Sequence, residues 1–488
     1  VTAPLSNTVL EALAATVAEQ RTKRLGAGFK SAYGLGQCVE SIPTAVLSVF
    51  LFFYITTVCG LSGSLTGLAL FFALAIDAVA DPVVGSISDN LSTRWGRRIP
   101  PMAISLVPIA VASGILFSVP RQASGWLLFA YVLAMLTFLR VSMSGFVIPY
   151  LSLGAELSDD YDERSSIVGF RAIFAMLATL GTYVLGFGVF LSGPKGLLDR
   201  AAYAPFGWTC GAIVLVLGAF ASYASLRALP RLHATPPSDR RIWRRLFGEV
   251  REVFRNPAFR LLFAGVLVFF VGQGVYATLG LHAGKYFWKL DVHALQLLAI
   301  AGVVGLALGL PAAFALIGHM EKRNIVLAGI STICLAEALP VLGQILGFLP
   351  TNTRGLMSVL LVAAVVIGAA TVLVAIAFQS AMADAVDQHE VLFGARREGL
   401  YFASLSFASK AAVGLGSLIS GLLLDAIAFP GAAIAAGRSV VVPPNVVRDL
   451  GLAYGPIAAF ITIVSVAILW RYRLDRAAHD TIRRALGR

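Results

Sequence analysis

The sequence predicts an all-α membrane protein, with twelve transmembrane helices arranged as two six-helix bundles. Three observations carry this. The 488 residues are 58% hydrophobic and 13% charged, with a mean hydropathy of +0.82, more apolar surface than a soluble domain of this size can hide. The apolar residues fall in twelve stretches, each near the roughly 20 residues that cross about 30 Å of hydrocarbon. Most of the 38 lysines and arginines lie in alternate loops and both tails. That bias predicts a multi-pass plasma-membrane protein, in the bacterial inner membrane, with both termini cytoplasmic.

In order, the spans are expected at 33–59, 64–88, 100–119, 126–152, 166–193 and 204–226, then 258–286, 293–317, 324–348, 355–383, 399–426 and 450–471. Residues 1–30 form a cytoplasmic tail, because 1–25 lack the apolar core of a signal peptide. Residues 31–226 form the first bundle and 258–472 the second. A basic, proline-containing linker (227–257) separates them, and its "DRRIWRRLFGEVREVF" is read as an amphipathic surface helix. A C-terminal tail covers 473–488. Six spans, an inside linker and six spans is the plan of the major facilitator fold. The inside loops after spans 2 and 8, "NLSTRWGRR" and "GHMEKRN", echo each other. Both are expected to grip neighbouring helix ends.

The net charge of +12 is then a topology signal, with contact to anionic lipid heads, and not a nucleic-acid footprint. Cys38, Cys59, Cys210 and Cys334 sit in apolar segments without metal or redox spacing and read as small core residues. The six histidines are scattered, and no Ser-His-Asp set, metal cluster or phosphate loop supports an enzyme. No cofactor is expected, and the protein is expected to be a monomer.

Charges inside spans carry function or an ion pair. Asp77 and Asp81 stand one turn apart on span 2, so they share a face. Two such carboxylates repel, so one is protonated or a cation lies between them. The coupling cation is Na⁺, Li⁺ or H⁺. The bland reading is an anchor for loop arginines. Arg140 lies one turn before Ser144 and two before Val147 on span 4, and shares their face. It either pairs with Glu40 of span 1 or joins Arg171 and Lys410 as an anion site, since arginine grips carboxylate, sulfonate or phosphate with a two-pronged fork. Lys410 either pairs with the acids until a cation frees it for substrate, or is a fixed structural charge. Gln273 and Tyr276 of span 7 face one way and either touch substrate or join helices. Gln379 on span 10 has the same two readings. Glu337 is stranded on span 9 and read as structural or protonated. Arg97 and Arg98, with Asp384, Asp387, Glu390, Arg396, Arg397 and Glu398, read as gate ion pairs that break and reform as the halves rock.

The stretch "DAVADPVVGSISDNLSTRWGRRIP" resembles the signature of the glycoside–pentoside–hexuronide:cation symporters. So do "MADAVDQHEVLFGARREGLYFASLSFASKAAVGLG", "IPYLSLGAELSDDYDERSSIVGFR" and the early "SAYGLGQ". The resemblance spans nearly the whole chain. It implies a cation site at Asp77, Asp81 and Ser144, with Lys410 and Arg171 kept at the substrate site. It also shows departures. Sodium users often carry Asn where Ala80 stands, which shifts the expectation towards H⁺ or Li⁺. The family's sugar-clamping aspartates and stacking tryptophan fall at Ser41, Val147 and Leu151, so a galactoside is not expected. The first expectation is a cation-coupled symporter of a glycoside-like or other small organic solute, anionic rather than neutral. The second is a lysophospholipid carrier of the same family. The third, a transport-dead sensor or an enzyme, has the least behind it.

Overall fold

The computed structural model describes residues 24–158, 160–227, 251–350, 352–438, 440–472 and 476–486. The tail before residue 24 and residues 228–250 of the linker, with all but the last four residues of its expected surface helix, lie outside the described residues; of those four, 251–253 are helical and Val253 is buried in the second half. Among the described residues, twelve helices are long and apolar enough to cross a membrane. They are α1 (Ala27–Leu51), α2 (Gly63–Asn90), α3 (Ile99–Leu116), α4 (Gly125–Glu156), α5 (Asp162–Phe190), α6 (Arg200–Leu226), α7 (Pro257–Phe287), α8 (Val292–Leu316), α9 (Lys322–Ile345), α10 (Thr353–Phe393), α11 (Glu398–Ala426) and α12 (Pro444–Leu469). A further helix, α13 (Arg476–Ala485), follows.

Helices are the expected solution, because in hydrocarbon each backbone N–H and C=O needs a partner within the segment. Their starts are set by polar caps. Ser62, Asp160, Asp199, Asn256, Asp291 and Asn352 each accept a hydrogen bond from the first-turn amides of α2, α5, α6, α7, α8 and α10. Gly394, with φ +71°, ends α10 in the left-handed region. α10 runs 41 residues and so outlasts its apolar stretch. The polar "ADAVDQHEVLF" continues the helix and carries Asp384, Asp387 and Glu390 on it.

Within the first half, α3 packs on α4 and α6, α2 on α4, and α1 on α5. Within the second, α7 packs on α11 and α12, and α9 and α8 both pack on α10. The halves meet where α2 lies along α11 and where α5 touches α8. Helix ends near Arg98, Glu156, Lys322 and Asp384 form the basic end of the molecule, and the 59–63 and 426–444 loops form the far end.

At the far end the α2–α11 seam is closed by glycine. A Cβ on Gly63 would lie 2.5 Å from the Gly421 carbonyl, and one on Gly67 would lie 2.6 Å from that of Ser417. Small residues let backbones approach this closely without a hydrophobic drive between helices. The substitution Gly421→Val should therefore force the far end apart. The expected result is lower thermal stability and faster hydrogen exchange at residues 60–67, and unchanged exchange there would refute the seam as a closure.

Candidate functional site

The interior charges converge where α2, α4 and α11 meet at mid-membrane depth. Asp77 is 3% exposed and Ser144 4%. The Ser144 hydroxyl lies 2.9 Å from Asp77 Oδ1 and 2.7 Å from Asp81 Oδ1. Lys410 reaches across from the other half. Its Nζ lies 2.9 Å from Asp77 Oδ2 and 2.5 Å from Asp81 Oδ2. One helix turn separates the aspartates, so a single ammonium can bridge both, as a bound cation would.

A hydroxyl has one proton and two acceptors before it here. Either that proton is shared, or one aspartate is protonated and donates to Ser144. Both arrangements place oxygen donors around one point, the donor set a hard monovalent cation or a proton requires. Ala80 adds no side-chain oxygen.

A second polar chain runs through α1 and α5. Arg171 donates through Nε and Nη2 to Gln37 Oε1 at 3.1 and 2.9 Å. Gln37 passes this on, donating to Glu40 Oε2 at 2.7 Å. The Arg171 guanidinium also lies over the Tyr150 ring, 5.2 Å from its centre. Glu40 is thus engaged by Gln37 on its own helix rather than ion-paired with Arg140. Arg140 has Asp77, Glu40 and Asp81 as charged neighbours, and its buried Nε makes no hydrogen bond. With both aspartates ionised, Asp77, Asp81 and Glu40 offset the charges of Lys410, Arg140 and Arg171, and the set is close to neutral.

Other expected residues fall elsewhere. Gln273 donates to Glu337 of α9 at 2.9 Å. Tyr276 stacks on Tyr454 with ring centres 4.4 Å apart. Both join helices within the second half. Ser41 and Val147 are half-buried, and Leu151 is exposed. Gln379 lines a separate recess with Phe270, Phe402 and Ser409.

Several gate residues have partners in their own half. Arg97 and Arg98 hold Glu156 at the end of α4 at 2.7 and 3.1 Å, and Arg98 holds Asp89 at 2.6 Å. In the second half Lys322 holds Asp384 on α10 at 2.6 Å. The two echoing loops thus do the same job, each tying the start of one helix to the helix that follows it. Arg396 binds Asp387, Glu390 and Glu398. Burial works against its charge, but these bonds outweigh it and raise its pKa. Arg397 is the residue from which α11 starts. His479 of α13 lies 3.1 Å from Asp387 and 3.5 Å from Asp384.

Two far-end contacts join the halves, and nothing in the sequence reading singled them out. The Asp425 carboxylate accepts from the backbone amides of Gly63 and Ser64, both at 2.8 Å, capping α2 from the other half. His282 of α7, fully buried, lies 2.9 Å from the Thr57 hydroxyl and 3.1 Å from that of Thr56. Phe52, Phe53 and Phe429 pack round its ring. Gln37, three residues before Glu40, was findable by helical spacing. His282 was not, because its partners lie 225 and 226 positions away.

The family described as MFS/sugar transport protein matches residues 32–476. The chain is similar to an uncharacterized symporter, sll1374, of Synechocystis, at 24% identity over 94% of this chain and 96% of that one. It is also similar to a glucuronide carrier protein homolog of Escherichia coli, at 23% identity over 91% of each. Among solved structures, a D-xylose-proton symporter shares the fold, with a TM-score of 0.60 at 15% identity, covering 91% of this chain and 97% of that one.

Proposed function

The chain belongs to the MFS/sugar transport protein family, and we propose that it is a cation-coupled symporter of an anionic, glycoside-like solute. It is a membrane transporter and not an enzyme. The observation that carries the proposal is Lys410 seated between Asp77 and Asp81. A cation arriving at the two aspartates displaces the ammonium. That leaves one positive charge in excess in a set that was near neutral, with Lys410 free and Arg140 Nε unbonded. An anion entering the cavity restores neutrality, so each ligand favours the other. A relative named for glucuronide suits a carboxylate-bearing sugar.

Rocking of the halves exposes the site alternately. With the basic end cytoplasmic, the far-end contacts of His282 and Asp425 lie on the outside, between the halves.

A thermal-shift screen tests this. Uronides, sulfonated sugars, neutral glycosides and lysophospholipids are each added to detergent-purified protein with Na⁺, with Li⁺ or with neither, at neutral and acid pH. A ligand that binds only the folded protein raises Tm by mass action. The expected result is a shift with a sugar acid that grows with a cation and disappears in Asp81→Asn. A shift with lysophospholipid alone would replace this reading with the lipid carrier.

A further inference from the structure

One intramembrane acid takes no part in the midplane cluster. Glu337 lies on α9 and is 1% exposed. Its Oε1 accepts from Gln273 Nε2 of α7 at 2.9 Å. Its Oε2 is buried and meets no hydrogen-bond donor. A buried carboxylate anion needs a cation or several donors, and one amide does not suffice. Among the described residues no lysine, arginine or histidine lies within ion-pair distance of it. The titratable groups that face it are phenols and a thiol. They are Tyr276 of α7 and Tyr454 of α12, stacked on each other, and Cys334, one turn earlier on α9, whose thiol bonds the Ala459 carbonyl. None supplies a positive charge.

Glu337 also helps to line a cavity of about 450 Å³, far larger than one water molecule needs. Val49 of α1 and Thr179, Tyr183 and Phe187 of α5 form one wall, and residues of α7, α8, α9, α10 and α12 form the rest. The cavity therefore lies between the halves. Polar walls at Thr179 and Thr371 give water a foothold.

We propose that Glu337 is a proton-binding site of the second bundle, separate from the Asp77/Asp81 cation site, loaded in this conformation and set in the wall of a cavity through which water reaches it when the wall moves. The proton rests on the carboxyl group. Gln273 holds the carbonyl oxygen, and no counter-charge is required. Use of this proton in coupling rests on the symport reading above, but the site itself does not.

Infrared spectroscopy of the purified full-length protein at neutral pH tests the site without any substrate. A protonated buried carboxyl gives a C=O stretch distinct from carboxylate. The expected result is such a band in the unaltered protein, lost in Glu337→Gln and kept in Asp77→Asn and Asp81→Asn. In Gln273→Leu it should move to higher frequency, because the carbonyl loses its donor. In D₂O it should move to lower frequency without unfolding, because the cavity admits water. Absence of the band at neutral pH, or a band of undiminished intensity in Glu337→Gln, would overturn the site. A band deaf to D₂O in the folded protein would overturn the water route. If Glu337→Gln fails to fold, the Gln273→Leu shift decides. A protein that passes here yet shows no cation response in the thermal screen keeps the proton site and loses the coupling scheme.

Discussion

Replacing Lys410 by Gln should make the stability of the folded protein depend on the cation in the buffer. The lysine now neutralises two aspartates one turn apart. Removing one partner of a buried ion pair costs about 3–5 kcal/mol. The Lys410 side chain is 29% exposed, so solvent screens part of this and about 2 kcal/mol is expected. In a buffer whose only cation is choline, Lys410→Gln should melt several degrees below the unaltered protein at neutral pH. Na⁺ or Li⁺ should restore the loss by occupying the place the ammonium left. Acid should restore it too, since a proton on one aspartate removes the repulsion. Adding Asp81→Asn to the lysine variant should abolish both responses. A Lys410→Gln protein indifferent to cation and pH would mean that the lysine is only a structural charge, and the exchange of ammonium for cation would have to be given up. Which cation restores stability best also identifies the coupling ion.

The second large effect is expected at the far end. His282→Ala removes a buried ring that touches two threonine hydroxyls and three phenylalanines. Both threonines meet the single Nε2, which makes one full hydrogen bond worth about 1 kcal/mol, and ring contacts add about 0.5–1.5 kcal/mol each beyond their area. A loss near 3 kcal/mol shifts a two-state equilibrium by roughly a hundredfold. The far end should therefore open. Hydrogen exchange should speed up in residues 52–64 and 426–437 and slow at the basic end, where the halves now close. Faster exchange at both ends would point to general loosening, and no change would show that Asp425 and the glycine seam hold the far end alone.

Much of this site was legible in the sequence because it obeys local rules. Asp77 and Asp81 share a face by the spacing of one helix, and so do Arg140 and Ser144. The charge of Lys410 inside an apolar run announced a partner. What was not legible depends on how helices rotate against each other. Glu40 looked as near to Arg140 as to anything else, yet Gln37 takes it first. Gln273 read equally as a substrate contact or a helix joiner, and α7 turns it towards Glu337. The gate acids read as pairs that break and reform as the halves rock, and the long α10 sets Asp384 and Asp387 beside Lys322, Arg396 and His479. Hydropathy marked only the apolar part of α10, because its polar end is kept helical by packing of Ala385 and Val386 into the second half's core and by the Gly394 stop.

The glycine seam has a mechanical consequence. Backbone meets backbone at Gly63 and Gly421, with no side chain between them to compress or slide. Such a contact acts as a stiff joint, and the rest of α2 and α11 are its arms. The Lys410 bridge sits partway along those arms and the basic end at their tips. Asp77 and Lys410 stand about halfway from the joint to the ends of α2 and α11, so a rotation at the joint parts the tips about twice as far as it parts the cation site. Opening the basic end to a solute therefore also draws Lys410 away from the aspartates, and the two events share one motion.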